Sequence, residues 1–109
     1  MSDRSANLSL PYIQPSQAQK HITHNEALVM LDAIVQLAVA SAEETDPPAA
    51  PDTGVRYIVP AGATGAWSGR AGTVALREAS GWVFLDPAPG WIAWVADIAG
   101  QMRFDGSDW

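Results

Sequence analysis

His21 and His24 stand three residues apart, so on a helix they would share a face and could form half of a metal site. The other half is missing. These are the chain's two histidines, it has no cysteine, and Glu26 is the only nearby carboxylate. They read as two histidines hydrogen-bonding in a polar interface near a helix start. Asp86, Asp97, Asp105 and Asp108 contain the groups for a glycosidase pair. Each lies in or beside a turn, where Asp is favoured for its local hydrogen bonds, and no spacing marks an acid and a nucleophile. Ser16, Ser68 and Ser80 lack the G-x-S-x-G context of an activated serine. The glycines at 62, 65, 69 and 72 lie in GATGAWSGRAG, which has no Lys-Ser/Thr ending and opens no helix, so it is not a P-loop. The chain is therefore expected not to be an enzyme, with no catalytic residue, cofactor or metal.

Five tryptophans in 109 residues are an excess that needs a use. Exposed Trp anchors interfaces and stacks on sugar rings. Core packing in a small sheet is the competing use. Trp91 and Trp94 are three apart, so on one strand they face opposite sides. Trp67 stands in a Gly-rich loop. Trp67, Trp91 and Trp94 are the candidate interface or glycan aromatics, whereas Trp82 and Trp109 read as packing locally.

Six Lys plus Arg against twelve Asp plus Glu give a net charge of −6. The cations are scattered singly, so there is no basic stripe for nucleic acid or for an anionic membrane. Hydrophobic residues make up 48%, so the chain is expected to fold. At this length roughly 65% of the unfolded surface is buried, and a thin core is often strengthened by oligomerisation. Met1 leads into SDRSANLS, which is no secretory signal, and the apolar run 33–42 is too short to span a bilayer. The expected location is cytoplasmic before any assembly.

Residues 1–9 read as a mobile arm. Leu10–Gln14, bracketed by Pro11 and Pro15, reads as an extended strip. Ser16–Gln19 and Thr23–Glu26 both match capping boxes, and the second directly precedes the apolar run, which makes it the expected helix start. Ala27, Leu28, Leu31, Ile34, Val35 and Ala38 recur at helical steps and are expected to face the core, with Asp32 and Gln36 opposite. A strand is expected over Leu37–Ala42. EETDPPAAPDTG is a loop. Further strands are expected at 55–59, 73–78, 82–85, 91–97 and 101–104, with turns at Ala79–Gly81, DPAPG and Asp105-Gly106. Arg77–Trp82 and Arg103–Trp109 echo one another, each a strand end, a polar turn and a Trp.

The expected class is α+β: one main N-terminal helix packed on a small antiparallel β-meander, with an extended N-terminal arm. Residues 1–22 form the arm and docking segment, and residues 23–109 the single small domain. The amide-rich approach to the helix has the composition of a docking surface, since amides donate and accept together. Tyr12, Ile13, Gln14, Gln17, Gln19, His21, His24 and Asn25 are its candidate partner contacts.

LPYIQPSQAQKH at 10–21, then Thr23–Leu28 and Leu31–Ala33, resembles an uncharacterised module of tailed-phage structural proteins and gene transfer agents. Arg56–Pro60, Ala63–Trp67, Gly81-Trp82 and Phe104–Trp109 are similar to the rest of that module, in order. The resemblance spans about residues 8–109. Among gene transfer agent components the head-spike base proteins are most similar. Such a resemblance implies a structural, virion-like component that ends on the particle surface: a base or adaptor of a spike or fibre. Its implied partners are capsid or neighbouring particle proteins and a spike fibre, with homo-oligomerisation. In such proteins the module precedes longer fibre-forming or glycan-binding regions, whereas this chain stops at Trp109, which favours the base over a complete fibre. The alternative is a carbohydrate-binding module that recognises capsule or envelope glycans.

Overall fold

The computed structural model describes residues 3–13 and 20–109, with the backbone alone at Lys20, His21 and Thr23. The chain divides into two compact units, Met1–Val35 and Gln36–Trp109. One α-helix and two three-stranded sheets, mostly antiparallel, make it an α+β protein.

The first unit holds α1, Lys20–Ile34. The helix starts before Thr23, so the Thr23–Glu26 box lies inside it and does not cap it. No Gly or Pro interrupts 20–34, and nothing there stops helical hydrogen bonds from propagating. The Ser16–Gln19 box lies outside the described residues. The segment before Ile13 is a closed loop instead of a free arm. Tyr12 N–H donates to the Asp3 carbonyl at 3.0 Å and Ser5 N–H to that of Leu10 at 2.9 Å. The Arg4 guanidinium donates to the Ser9 carbonyl at 2.9 Å.

In the second unit β1 (Ala38–Val39), β5 (Ile92–Val95) and β6 (Gly100–Arg103) form one sheet, in the order β1-β5-β6. The β5–β6 pairing is antiparallel, but β1 joins β5 in parallel, with Ala38 opposite Trp94. The segment around β1 also reaches the other sheet: Ala40 N–H donates to the Arg56 carbonyl and Ile58 N–H to that of Ser41. The expected single meander is thus two sheets joined along residues 37–41.

The second sheet is an antiparallel meander of β2 (Arg56–Ile58), β3 (Val74–Glu78) and β4 (Gly81–Leu85). Its register places Tyr57, Ala75 and Phe84 side by side, with Trp82 opposite Arg77 one step along the same face. A short 3-10 turn, Gly65–Trp67, lays Trp67 against that face. The Trp67 and Trp82 rings meet edge to face at 5.2 Å and 77°, and Tyr57 stands 5.2 Å from Trp67, within the range of favourable aromatic pairs. The Arg70 guanidinium covers Phe84 at 4.6 Å. At the chain's end Trp109 packs on Phe104 and its Nε1 donates to the Gly72 carbonyl at 2.9 Å. Asp105 closes its turn by accepting the Ser107 and Asp108 amides, both at 2.8 Å. This is a side-chain-closed turn, and no strand follows it.

Candidate functional site

The helix is turned over relative to its sequence pattern. Asp32, expected on the exposed face, is 3% exposed, while Leu31, expected in the core, is 46% exposed. The reason is a pair of short polar side chains seven residues apart. Asn25 and Asp32 lie on one side of α1, since seven residues are close to two turns, and both are used internally. Asn25 donates its amide to the Ile13 carbonyl and accepts the Ile13 N–H, each at 2.9 Å. Asp32 accepts four bonds: Ser5 Oγ at 2.5 Å, Leu8 N at 2.5 Å, Asn7 N at 2.8 Å and Asn7 Nδ2 at 2.9 Å. Burial, the largest single influence, pushes the Asp32 pKa up. The Ser5 hydroxyl, the Leu8 and Asn7 amides and the Asn7 side chain together outweigh it and hold the carboxyl below its usual range.

The polar side of α1 is therefore occupied by the chain's own N-terminal loop. The apolar side is left outward: Ala27, Met30, Leu31 and Val35 are exposed and Ile34 is half-buried. These are largely the residues that periodicity assigned to the core. The stripe was legible in the sequence, whereas its direction was not. The signal that could have given the direction is the Asn25/Asp32 spacing.

The expected docking residues divide accordingly. Asn25 is buried with both ends of its amide used by Ile13, so it is a structural clasp and not a partner contact. Tyr12 and Ile13 are half-buried and His24 is exposed. Gln14, Gln17, Gln19 and the His21 side chain lie outside the described residues. Of the aromatic candidates, Trp67 is 0% exposed. The loop that carries it folds over the Tyr57–Phe84 face, so Trp67 is a core residue and cannot serve as a sugar platform or an interface anchor. Trp91 is half-buried and Trp94 is 46% exposed. On β5 the burial alternates: Ala93 and Val95 point inward, Ile92 and Trp94 outward. Across the ladder Trp94 faces Gln101 and Ile92 faces Arg103, both exposed.

No group of three or more His, Cys, Asp or Glu among the described residues could hold a metal ion. Glu43 and Asp97 line a cleft together with Ala42, Val95, Ile98 and Met102. Its two carboxylates face solvent, and no nucleophile with a base lines it. Among the described residues no helix is long and apolar enough to cross a membrane.

No curated protein matches the chain. Residues 24–109, from the second turn of α1 to the last residue, match the family model described as "Protein of unknown function (DUF2793)". That span is most of the chain and contains both sheets, and by it the protein belongs to that family.

Proposed function

We propose that this chain is an assembly protein, the base or adaptor of a head spike or fibre on a phage-like particle such as a gene transfer agent. The observation that carries the reading is the outward aliphatic stripe of α1, set opposite a polar side that the chain's own loop already occupies. Exposing such a stripe gains a lone chain nothing, and an assembly would bury it. The resemblance of the Leu10–Ala33 signature supplies the particle. In this reading the chain is made in the cytoplasm and ends on the particle surface. Polar residues of the docking segment, the exposed His24 among them, contact a capsid or neighbouring subunit, and the β unit presents a face to a fibre. The test is cryo-electron microscopy of particles from a host that carries a tagged copy of the chain. Density for the chain at a spike or fibre base is expected. Particles that mature without it would overturn the role.

A second reading rests on β5 and β6. Trp94 beside Gln101, with Arg103 one cross-strand pair away, puts an aromatic face, an amide and a guanidinium together on one exposed sheet surface. These are groups that stack on and hydrogen-bond to sugars. Glycan-array binding that is lost in Trp94→Ala, with the fold intact, would support it. An array without signal for the wild type would remove it.

A further inference from the structure

We infer that the N-terminal loop, residues 3–13, is a carboxylate-binding site whose resident ligand is the chain's own Asp32. Loop and ligand both lie in the first unit. The site does not depend on the particle role, which is tested by incorporation, so either can fail alone.

The donors are arranged for a planar group with two oxygens. The Ser5 hydroxyl and the Leu8 N–H donate to one oxygen of Asp32. The Asn7 N–H and the Asn7 side-chain amide donate to the other. Two donors on each oxygen match the roughly four lone-pair sites that a carboxylate offers. All four donors are neutral, so hydrogen-bond geometry recognises the group and no counter-charge is needed. Successive backbone N–H groups turned toward one anion are the arrangement of anion-binding nests. A spherical ion such as chloride cannot meet two separate pairs of donors at once.

The loop has bonds of its own that do not use Asp32. Arg4 and Pro11 form an antiparallel bridge. Ser5 N–H donates to the Leu10 carbonyl and Tyr12 N–H to that of Asp3. The Leu10 N–H donates to the Ser5 hydroxyl oxygen, which leaves the hydroxyl hydrogen for the carboxylate. Just after Leu8, Ser9 turns the chain back in the left-handed conformation, at φ 55. The four donors are thus preorganised by the loop, which lowers the ordering cost of binding. In the wild-type chain Asp32 fills the site and keeps it latent. Another carboxylate takes the same donors only when Asp32 is absent.

Chemical rescue in the full chain is the test, with Asp32→Ala as the variant. The substitution removes the carboxyl group, leaves room for formate and keeps a strong helix former in α1. The Leu8 and Leu10 amides should exchange at least about thirtyfold faster than in the wild type. Sodium formate should then slow them saturably, by at least about tenfold, whereas sodium chloride at the same ionic strength should not. If Asp32→Ala also loses helix by far-UV circular dichroism, formate must restore it over the same concentration range. Adding Ser5→Ala removes one donor and should raise the formate needed about tenfold. Asp32→Asn keeps the position filled, so it should not respond to formate, and neither should the wild type. No slowing by formate, equal slowing by chloride, a response in Asp32→Asn, or a response untouched by Ser5→Ala would overturn the site.

Discussion

Asp32→Asn isolates the charge that closes the N-terminal loop. The substitution keeps volume and shape but removes a carboxylate that accepts from Ser5, Asn7 and Leu8. Hydrogen bonds to a charged group contribute about 1.5–3 kcal/mol each, and the four are not additive. Asn7 and Leu8 are exposed, so their amides regain water when the loop opens. Ser5, at 4% exposure, must leave a buried site. In the variant one acceptor oxygen remains, while the new amide group presents donors to donors. A loss of about 2 kcal/mol in loop closure follows, roughly thirtyfold in its opening constant. Amide hydrogen exchange reads this directly. Ser5, Leu8, Leu10 and Tyr12 should exchange about thirtyfold faster, whereas Trp94 and Phe104, bonded within the β unit, should not change. The same clasp sets a pH dependence. The folded pKa of Asp32 is depressed below 3.8, so its contribution is fully present above that value and is lost as pH falls through the lower, folded one. Unchanged exchange at the four loop amides, or equal acceleration throughout the chain, would refute the clasp.

Trp67→Ala should cost about 3–5 kcal/mol in urea unfolding, because it empties the site beneath Tyr57 and Trp82. Trp67→Phe should cost clearly less, since the Trp67 Nε1–H is buried with no hydrogen-bond acceptor among the described residues and removing an unsatisfied donor recovers part of the loss. Tyr57 is held above its ordinary 10.0 by burial, then by the Glu44 and Asp52 charges. An ultraviolet titration should therefore show one of the two tyrosines ionising late, with stability present below pH 10 and falling as pH rises above it. Trp94→Ala should cost clearly less than Trp67→Ala in the same unfolding measurement, because Trp94 is 46% exposed on the outward side of β5.

The second sheet was the most legible part of the fold. Val55–Val59, Thr73–Glu78 and Trp82–Leu85 are short β-rich runs bounded by Pro60, Gly72 and the Ala79–Gly81 turn, and β2, β3 and β4 fall inside or within a residue of them. Gly81 has φ +141, a conformation that side chains rarely adopt, which pins that hairpin. The parallel partnership of β1 with β5 was not legible. The two strands are more than fifty residues apart and only two residues of each pair, so no local pattern encodes the contact. Trp67 misled for a related reason. A Trp among glycines looks exposed, but the Gly65–Trp67 turn folds it over a sheet face whose central residue, Ala75, is too small to fill the space.

The helix shows where periodicity stops informing. A stripe at helical steps fixes which residues share a side, and says nothing of what that side meets. In an isolated small domain the apolar side normally meets its own core, and that default made Leu31 a core residue. The default fails when polar groups on the other side have strong internal partners. Asp32 with four donors and Asn25 with a two-bonded backbone fix the rotation of α1 from the polar side. The aliphatic stripe takes no part in that clasp. An exposed aliphatic stripe beside such a clasp is the kind of surface that marks an interaction site.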